Sequence, residues 1–178
     1  GLHREDAIAG DLSERRALVT GGSSGIGEAT CEGLLAAGAT VHLLGRDEKR
    51  TATAVSRIES RLPNAGGRLV PELCDLSDPS EVRRFAQGFL ERHQRLHVLV
   101  NNAGVLTQRR ERTAGGVELT FATNVLGPFL LTSMVLPASG VALGWLLVIS
   151  LHLPVRDYAR SYRPYLDRIA RQIPPGAC

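Results

Sequence analysis

Lysine is nearly absent from this sequence. Lys49 is the only one in 178 residues, and the rest of its 21 basic residues are arginine. Aromatic residues are also scarce, at 4%, so a surface that binds single-stranded nucleic acid by stacking bases on aromatic rings is not expected. The net charge of +3 does not describe a basic binding face either. Residues 156–178 hold five Arg and two Asp, which leaves residues 1–155 balanced at zero, and no nucleic-acid partner is expected. The three cysteines (Cys31, Cys74 and Cys178) form no CxxC pair and have no metal-ligand spacing. They read as buried reduced thiols plus one terminal thiol, with no metal site. Residues 1–16 are polar and charged and lack an apolar signal core, so a cytoplasmic protein is expected. The first residue is Gly rather than Met, which suggests a missing or processed start.

Residues 125–155 contain no Asp, Glu, Lys or Arg. Their apolar stretch, 139–153, is shorter than the roughly 20 residues a spanning helix needs, and Pro137 and Pro154 bracket it. A buried strand with its lead-in is favoured. Association with a membrane, such as the surface of the endoplasmic reticulum, is the weaker alternative.

A composition of 43% hydrophobic and 22% charged residues over 178 positions suits one compact domain with a real core. Residues 16–20 and 40–44 read as strands, RLVPEL at 68–73 leads into a third, and 96–100 forms a buried fourth. Between them come helical patterns. The first places Ile26, Ala29, Gly33, Leu34 and Ala37 on one face and ends at Gly38. The second runs from Asp47 to Leu62, with Ala52, Val55, Ile58 and Leu62 inward. The third is capped by Ser77 or Asp78, has Pro79 in its first turn, and buries Val82, Phe85, Ala86, Phe89 and Leu90. A further helix is predicted over 116–136. Strands alternating with helices imply parallel strands joined by right-handed crossovers, hence an α/β, doubly wound parallel sheet. Residues 1–155 are read as this domain and 156–178 as a basic, frayed tail.

The first strand runs into TGGSSGIG at 20–27 and then into a helix. Glycines there let the backbone approach a pyrophosphate, and the helix start offers unpaired N–H groups and the positive end of its dipole. DLSD follows at 75–78, NNAG at 101–104 and FATN at 121–124. In this order and spacing the four motifs resemble the short-chain dehydrogenase/reductases, over roughly residues 10–136. Within that family the chain looks most like the dehydrogenase/reductase member 12 type, with retinol-dehydrogenase-like members as near alternatives.

The resemblance implies a Rossmann-type, nicotinamide-dinucleotide-binding fold. Gly21, Ser23, Ser24, Gly25, Ile26 and Gly27 would wrap the pyrophosphate and adenosine ribose. Asp75 would accept from the adenine amine beside Leu76, although a helix-capping carboxylate explains Asp75 almost equally well. Asn102, Ala103 and Gly104 would line the nicotinamide-side ribose, and Asn124 matches the family's helix-kinking asparagine, whose bland reading is a core amide. Gly45 stands where an NAD-preferring site wants a carboxylate, and Arg46 follows it. A guanidinium there can fork onto a 2′-phosphate, so NADP is expected before NAD. The alternative is a solvated arginine opening the charged run RDEKR.

The family's chemistry needs a tyrosine followed four residues later by lysine. Here Tyr158, Tyr162 and Tyr165 are followed at that spacing by Tyr162, Leu166 and Ile169. Ser150, at the end of a possible fifth strand, stands where the family's catalytic serine would fall, though a buried strand-end hydroxyl is the better reading. Three readings therefore stand together: an NADP(H)-dependent oxidoreductase of carbonyls or alcohols, a catalytically dead nucleotide-binding or regulatory protein, and a truncated, membrane-associated isoform. The sheet is expected to stop at its fifth strand, leaving an open edge through which copies could pair.

Overall fold

The computed structural model describes residues 11–139. Strands β1 (Arg16–Thr20), β2 (Thr40–Gly45), β3 (Leu69–Leu73) and β4 (Val98–Val100) form one parallel sheet in the order β3-β2-β1-β4. Helices α1 (Gly25–Ala36), α2 (Glu48–Arg61) and α3 (Pro79–Arg92) make the crossovers. After β4 come a short helix α4 (Leu119–Phe121), a π-helical turn (Ala122–Leu126) and helix α5 (Gly127–Ser139).

Alternation along the strands sends successive side chains to opposite faces. On one face Ala17, Val19, Val41, Leu43, Val98 and Val100 pack with Cys31, Leu34 and Leu35 of α1 and Ala54 and Ile58 of α2. On the other, Leu18 and Leu44 pack with Val82, Phe85, Ala86 and Phe89 of α3 and Leu131 and Val135 of α5. Two apolar layers on one parallel sheet are the doubly wound arrangement expected. Pro71 falls within β3, which among the described strands is an edge, where a missing N–H costs no ladder bond.

Two helices turn differently from their apolar pattern. In α1 the buried residues include Thr30, Cys31 and Leu35 as well as Glu28 and Glu32, while Ala29, Gly33 and Ala37 are only half-buried. Both glutamates are ion-paired across the helix interface, Glu28 with Arg57 and Arg61, and Glu32 with Arg61. Paired carboxylates thus hold positions that apolar spacing assigns to solvent. In α2 the inward residue is Thr51, and Ala52 is exposed. Strand β4 is shorter than 96–100, although Leu96 is buried. The expected fifth strand, Ser150, the three tyrosines, the uncharged run 125–155 beyond residue 139 and the basic tail lie outside the described residues.

The chain passes from β1 outward through β2 to β3, then returns to the other side of β1 for β4. Above the carboxyl ends of β1 and β4 the crossovers therefore diverge to opposite faces and leave a crevice.

Candidate functional site

That crevice is a cleft of about 230 Å³. Gly21, Ser23, Ser24, Gly25, Ile26, Gly27, Arg46, Asp75, Leu76, Asn102, Ala103 and Gly104 all line it, so separate sequence motifs meet at one place. Thr20, Leu44, Asp47, Arg50, Cys74, Val105 and Thr123 complete the wall.

Close contacts shape the loop after β1. Gly21 has φ +66, and a Cβ there would lie 2.8 Å from the Ala103 Cα. A Cβ on Gly27 would fall 2.2 Å from the Gly21 carbonyl oxygen and 2.5 Å from Asn102 Nδ2. Only glycine lets α1 start this close to the loop. By contrast, a Cβ at Gly25 would meet nothing within 4 Å, so the backbone there borders open space.

Hydrogen bonds stitch β4 to β1 beneath the cleft. The Thr20 hydroxyl accepts from the N–H of Asn102 and of Ala103, each at 3.0 Å, and donates to the Val100 carbonyl at 3.3 Å. Asn102 Nδ2 donates to the carbonyls of Thr20 at 3.0 Å and Gly21 at 3.2 Å. Its Oδ1 is buried and accepts no hydrogen bond.

Helix caps separate α1 from its neighbours. Asp47 caps α2 by accepting from the Arg50 N–H at 2.8 Å, and Asp78 caps α3 by accepting from Ser80 and Glu81 N–H. Ser24, at the start of α1, is extended and makes no side-chain cap bond. The first N–H groups of α1 therefore face the cleft without a side-chain acceptor, as an anion site requires. Arg46, just before the cap of α2, and Arg50, in its first turn, stand at the same cleft and form no ion pair with any carboxylate among the described residues.

Asp75 does not cap α3. Its Oδ1 accepts from the Ser77 N–H at 2.8 Å in a local turn, and its own N–H donates to Glu81 Oε2 at 2.9 Å. This turn holds Asp75 and Leu76 at the cleft wall. Burial, reinforced by Glu81, Asp75 and Asp78, pushes the neighbouring Cys74 thiol up to about 12, so it remains a neutral wall residue and not a nucleophile.

Asn124 lies in the π-helical turn rather than on the cleft surface. Its Oδ1 accepts from the Val105 N–H at 2.8 Å and its Nδ2 donates to the Val105 carbonyl at 2.9 Å. The amide thus satisfies both backbone groups of Val105 and fixes the segment after NNAG. Asn124 is half-buried in this turn.

Sequence reasoning did not single out Thr20 or Arg50 as site residues. Arg50 had a signal, since it belongs to the charged run RDEKR that follows Gly45. Thr20 had none, because its role depends on the strand pairing of β1 with β4.

A second polar group lies under α3. His42 Nδ1 is 3.1 Å from Glu72 Oε1, and the rings of His42 and His93 are 4.6 Å apart. The ligand atoms of these three residues lie within 4.8 Å of one another, but Arg92 Nη2 sits 3.1 Å from both Glu72 oxygens. With a guanidinium already on its carboxylate, this group serves as a polar tie between β2, β3 and α3.

A family model described as short chain dehydrogenase matches residues 15–149. The chain is 42% identical over 120 residues to Dehydrogenase/reductase SDR family member 12 of Homo sapiens, a match covering 67% of this chain and 37% of that protein. Among solved structures it resembles the Pseudomonas aeruginosa RhlG/NADP active-site complex, with 37% identity and a TM-score of 0.58 over 72% of this chain and 49% of that one. It also resembles a metagenomic short-chain oxidoreductase in complex with NADP, with 36% identity and a TM-score of 0.61 over 71% and 56% of the two chains. The chain therefore spans well under half the length of the human relative.

Proposed function

This chain belongs to the short-chain dehydrogenase family, and from that premise we propose that it binds NADP(H), as the nucleotide-holding part of an oxidoreductase acting on a carbonyl or alcohol. The observation that carries the reading is a convergence in one cleft. An uncapped helix start and two arginines without ion-pair partners line the same space as the glycine loop and the NNAG segment. These residues fit a dinucleotide with an extra phosphate, and the two solved relatives named above are NADP complexes.

In this reading Gly21, Ser23, Ser24, Gly25, Ile26 and Gly27 surround the pyrophosphate and adenosine ribose, with the N–H groups at the start of α1 as donors. Arg46 forks onto the 2′-phosphate and Arg50 adds charge beside it. Asp75 accepts from the adenine amine, and Leu76 packs against the ring. Asn102, Ala103 and Gly104 line the ribose on the nicotinamide side. Asn124 acts through Val105, as a positioning residue. The bound nicotinamide would supply or accept hydride.

Hydride transfer also needs a group that protonates an alkoxide or deprotonates a hydroxyl near neutral pH. An unassisted tyrosine, with a pKa of about 10, is poorly matched to that task. No tyrosine in the sequence is followed by lysine four residues on, so the 178-residue chain alone is proposed to bind cofactor without turning over substrate. Fluorescence titration of the purified chain with NADPH and NADH tests the binding. Saturable NADPH binding, tighter than that of NADH, is expected, and no binding of either would overturn the reading. A steady-state assay with NADPH across aldehydes, ketones and retinoids tests the chemistry. Turnover abolished by Tyr162→Phe or Tyr165→Phe would refute the inactive assignment.

A further inference from the structure

The strand tip at Gly45 is closed by a residue from the next helix. Gly45 ends β2, and Thr51 lies in the second turn of α2 with only 2% of its surface exposed. A Cβ built on Gly45 would lie 2.1 Å from Thr51 Oγ1, well inside contact distance. The same Cβ would be 3.4 Å from Thr51 Cβ and 3.7 Å from Cγ2, which are ordinary contacts. The obstruction is therefore a single atom, the threonine hydroxyl.

That hydroxyl gains nothing where it is. Thr51 Oγ1 is buried and has no hydrogen-bond partner, a state that normally destabilises a protein. Threonine is branched at Cβ and on a helix is held to two main χ1 wells, so it has less room to move aside than a long side chain. Its position matters because a carboxylate at this strand tip is what accepts both hydroxyls of an unphosphorylated adenosine ribose.

We propose that Thr51 is a specificity-determining residue: its hydroxyl fills the space of a residue-45 side chain, bars a carboxylate from the tip of β2, and so commits the cleft to the phosphorylated dinucleotide. The inference rests on the proposed NADP(H) function and adds a cause to it. Arg46 attracts the 2′-phosphate, while the Gly45–Thr51 pair shuts out the alternative acceptor. Acid at position 45 and threonine at position 51 are mutually exclusive. A change of cofactor accordingly needs two substitutions, and the first of them alone is harmful.

The test uses the full chain in a double-mutant cycle with two readouts, thermal midpoint and fluorescence titration against NADPH and NADH. Gly45→Asp alone is expected to lower the midpoint by several degrees and to bring no gain in NADH affinity. Thr51→Ala alone should leave the midpoint close to wild type, because it removes a hydroxyl without a hydrogen-bond partner. Gly45→Asp with Thr51→Ala should recover most of the lost midpoint and shift the NADH-to-NADPH affinity ratio by about tenfold or more. If Gly45→Asp does not fold, Gly45→Ala with and without Thr51→Ala asks the same steric question, since the clash begins at Cβ. A Gly45→Asp variant of unchanged midpoint that already prefers NADH overturns the proposal, as does a midpoint that Thr51→Ala fails to rescue. Failure of the wild-type chain to bind either nucleotide would overturn the NADP(H) function and the specificity role resting on it. The midpoint rescue would still decide whether the hydroxyl blocks position 45.

Discussion

The two ends of helix α2 use arginine in opposite ways. At its far end Arg57 donates through Nη2 to Glu28 Oε2 at 2.6 Å, and Arg61 reaches Glu28 and, at 2.9 Å, Glu32. These hydrogen bonds, with Arg57 foremost, overcome burial and hold the Glu28 carboxyl below its ordinary range, whereas burial dominates at Glu32 and raises it. At the near end Arg46 and Arg50 face the cleft, and the one aspartate between them, Asp47, is engaged in capping the helix. Where carboxylates stand within reach, arginine ties two helices together. Where the nearest carboxylate is already occupied, the guanidinium stays available for an anion from outside.

Variants that damage one end and spare the other test this contrast, and the loop gives the largest effect. Gly27→Ala forces a methyl against the Gly21 carbonyl oxygen and Asn102 Nδ2. Overpacking at such a site costs about 1–3 kcal/mol, and the displaced atoms are the ones that shape the cleft. NADPH affinity should fall by roughly 100-fold or more, the upper end of that cost expressed as binding. Titration beside a thermal melt checks it, and unchanged affinity would show that the loop is not the pyrophosphate cradle.

Arg46→Asp comes next. Hydrogen bonds between charged groups contribute about 1.5–3 kcal/mol, so NADPH affinity should drop roughly tenfold or more while NADH affinity changes little. The same titration in high salt should narrow the gap for the wild-type chain. At the far end Glu28→Gln leaves Arg57 without its acid partner and Arg61 with Glu32 alone. The expected cost is about 1 kcal/mol, seen as a loss of a few degrees in thermal midpoint, with the NADPH-to-NADH ratio unchanged. A shift in that ratio would mean that the two ends of α2 are coupled and the contrast is false.

The same contrast explains what the sequence disclosed. The strands, α3 with its Asp78–Pro79 start, and the glycine loop were legible because each is encoded locally, by alternation, capping chemistry or a turn. The cleft was legible as four motifs, and the structure gathers them at the crevice between β1 and β4. The inner faces of α1 and α2 were not, because Glu28, Glu32 and Thr51 are polar and buried, and apolar periodicity counts such residues as outward. Only the partner helix makes them inward. The π-helical turn at Ala122–Leu126 inserts an extra residue into the helical register, which no spacing rule at 3.6 residues per turn reveals. Asn124 could be noticed as an odd residue for a helix, but its pairing with Val105 depends on a loop 19 residues away.

The smallest effect expected is a dependence of stability on pH from the tie beneath α3, away from the cleft. Burial disfavours the charged form of His93, and His42, Arg16 and Arg92 add repulsion, so its pKa lies below the ordinary histidine value. His97 is lowered likewise, by burial and then by Arg15, Arg16 and Arg95. For both, the unfolded chain takes up a proton near pH 6.5 while the native state still resists one. The native state then binds fewer protons, and stability falls as pH drops below about 6.5. Glu72 acts in the same direction at lower pH. Burial opposes its charge, but His42 and then Arg92 outweigh that and lower its pKa. Its contribution is complete above the unfolded carboxylate value of about 4.3 and is lost as pH falls through the lower native value. The thermal midpoint should therefore decline gently from pH 7 to pH 5.5 and more steeply below pH 4.5. Substituting His93→Gln and His97→Gln together should flatten the first limb and leave the second. A first limb that keeps its slope in this double variant would place the titrating groups elsewhere.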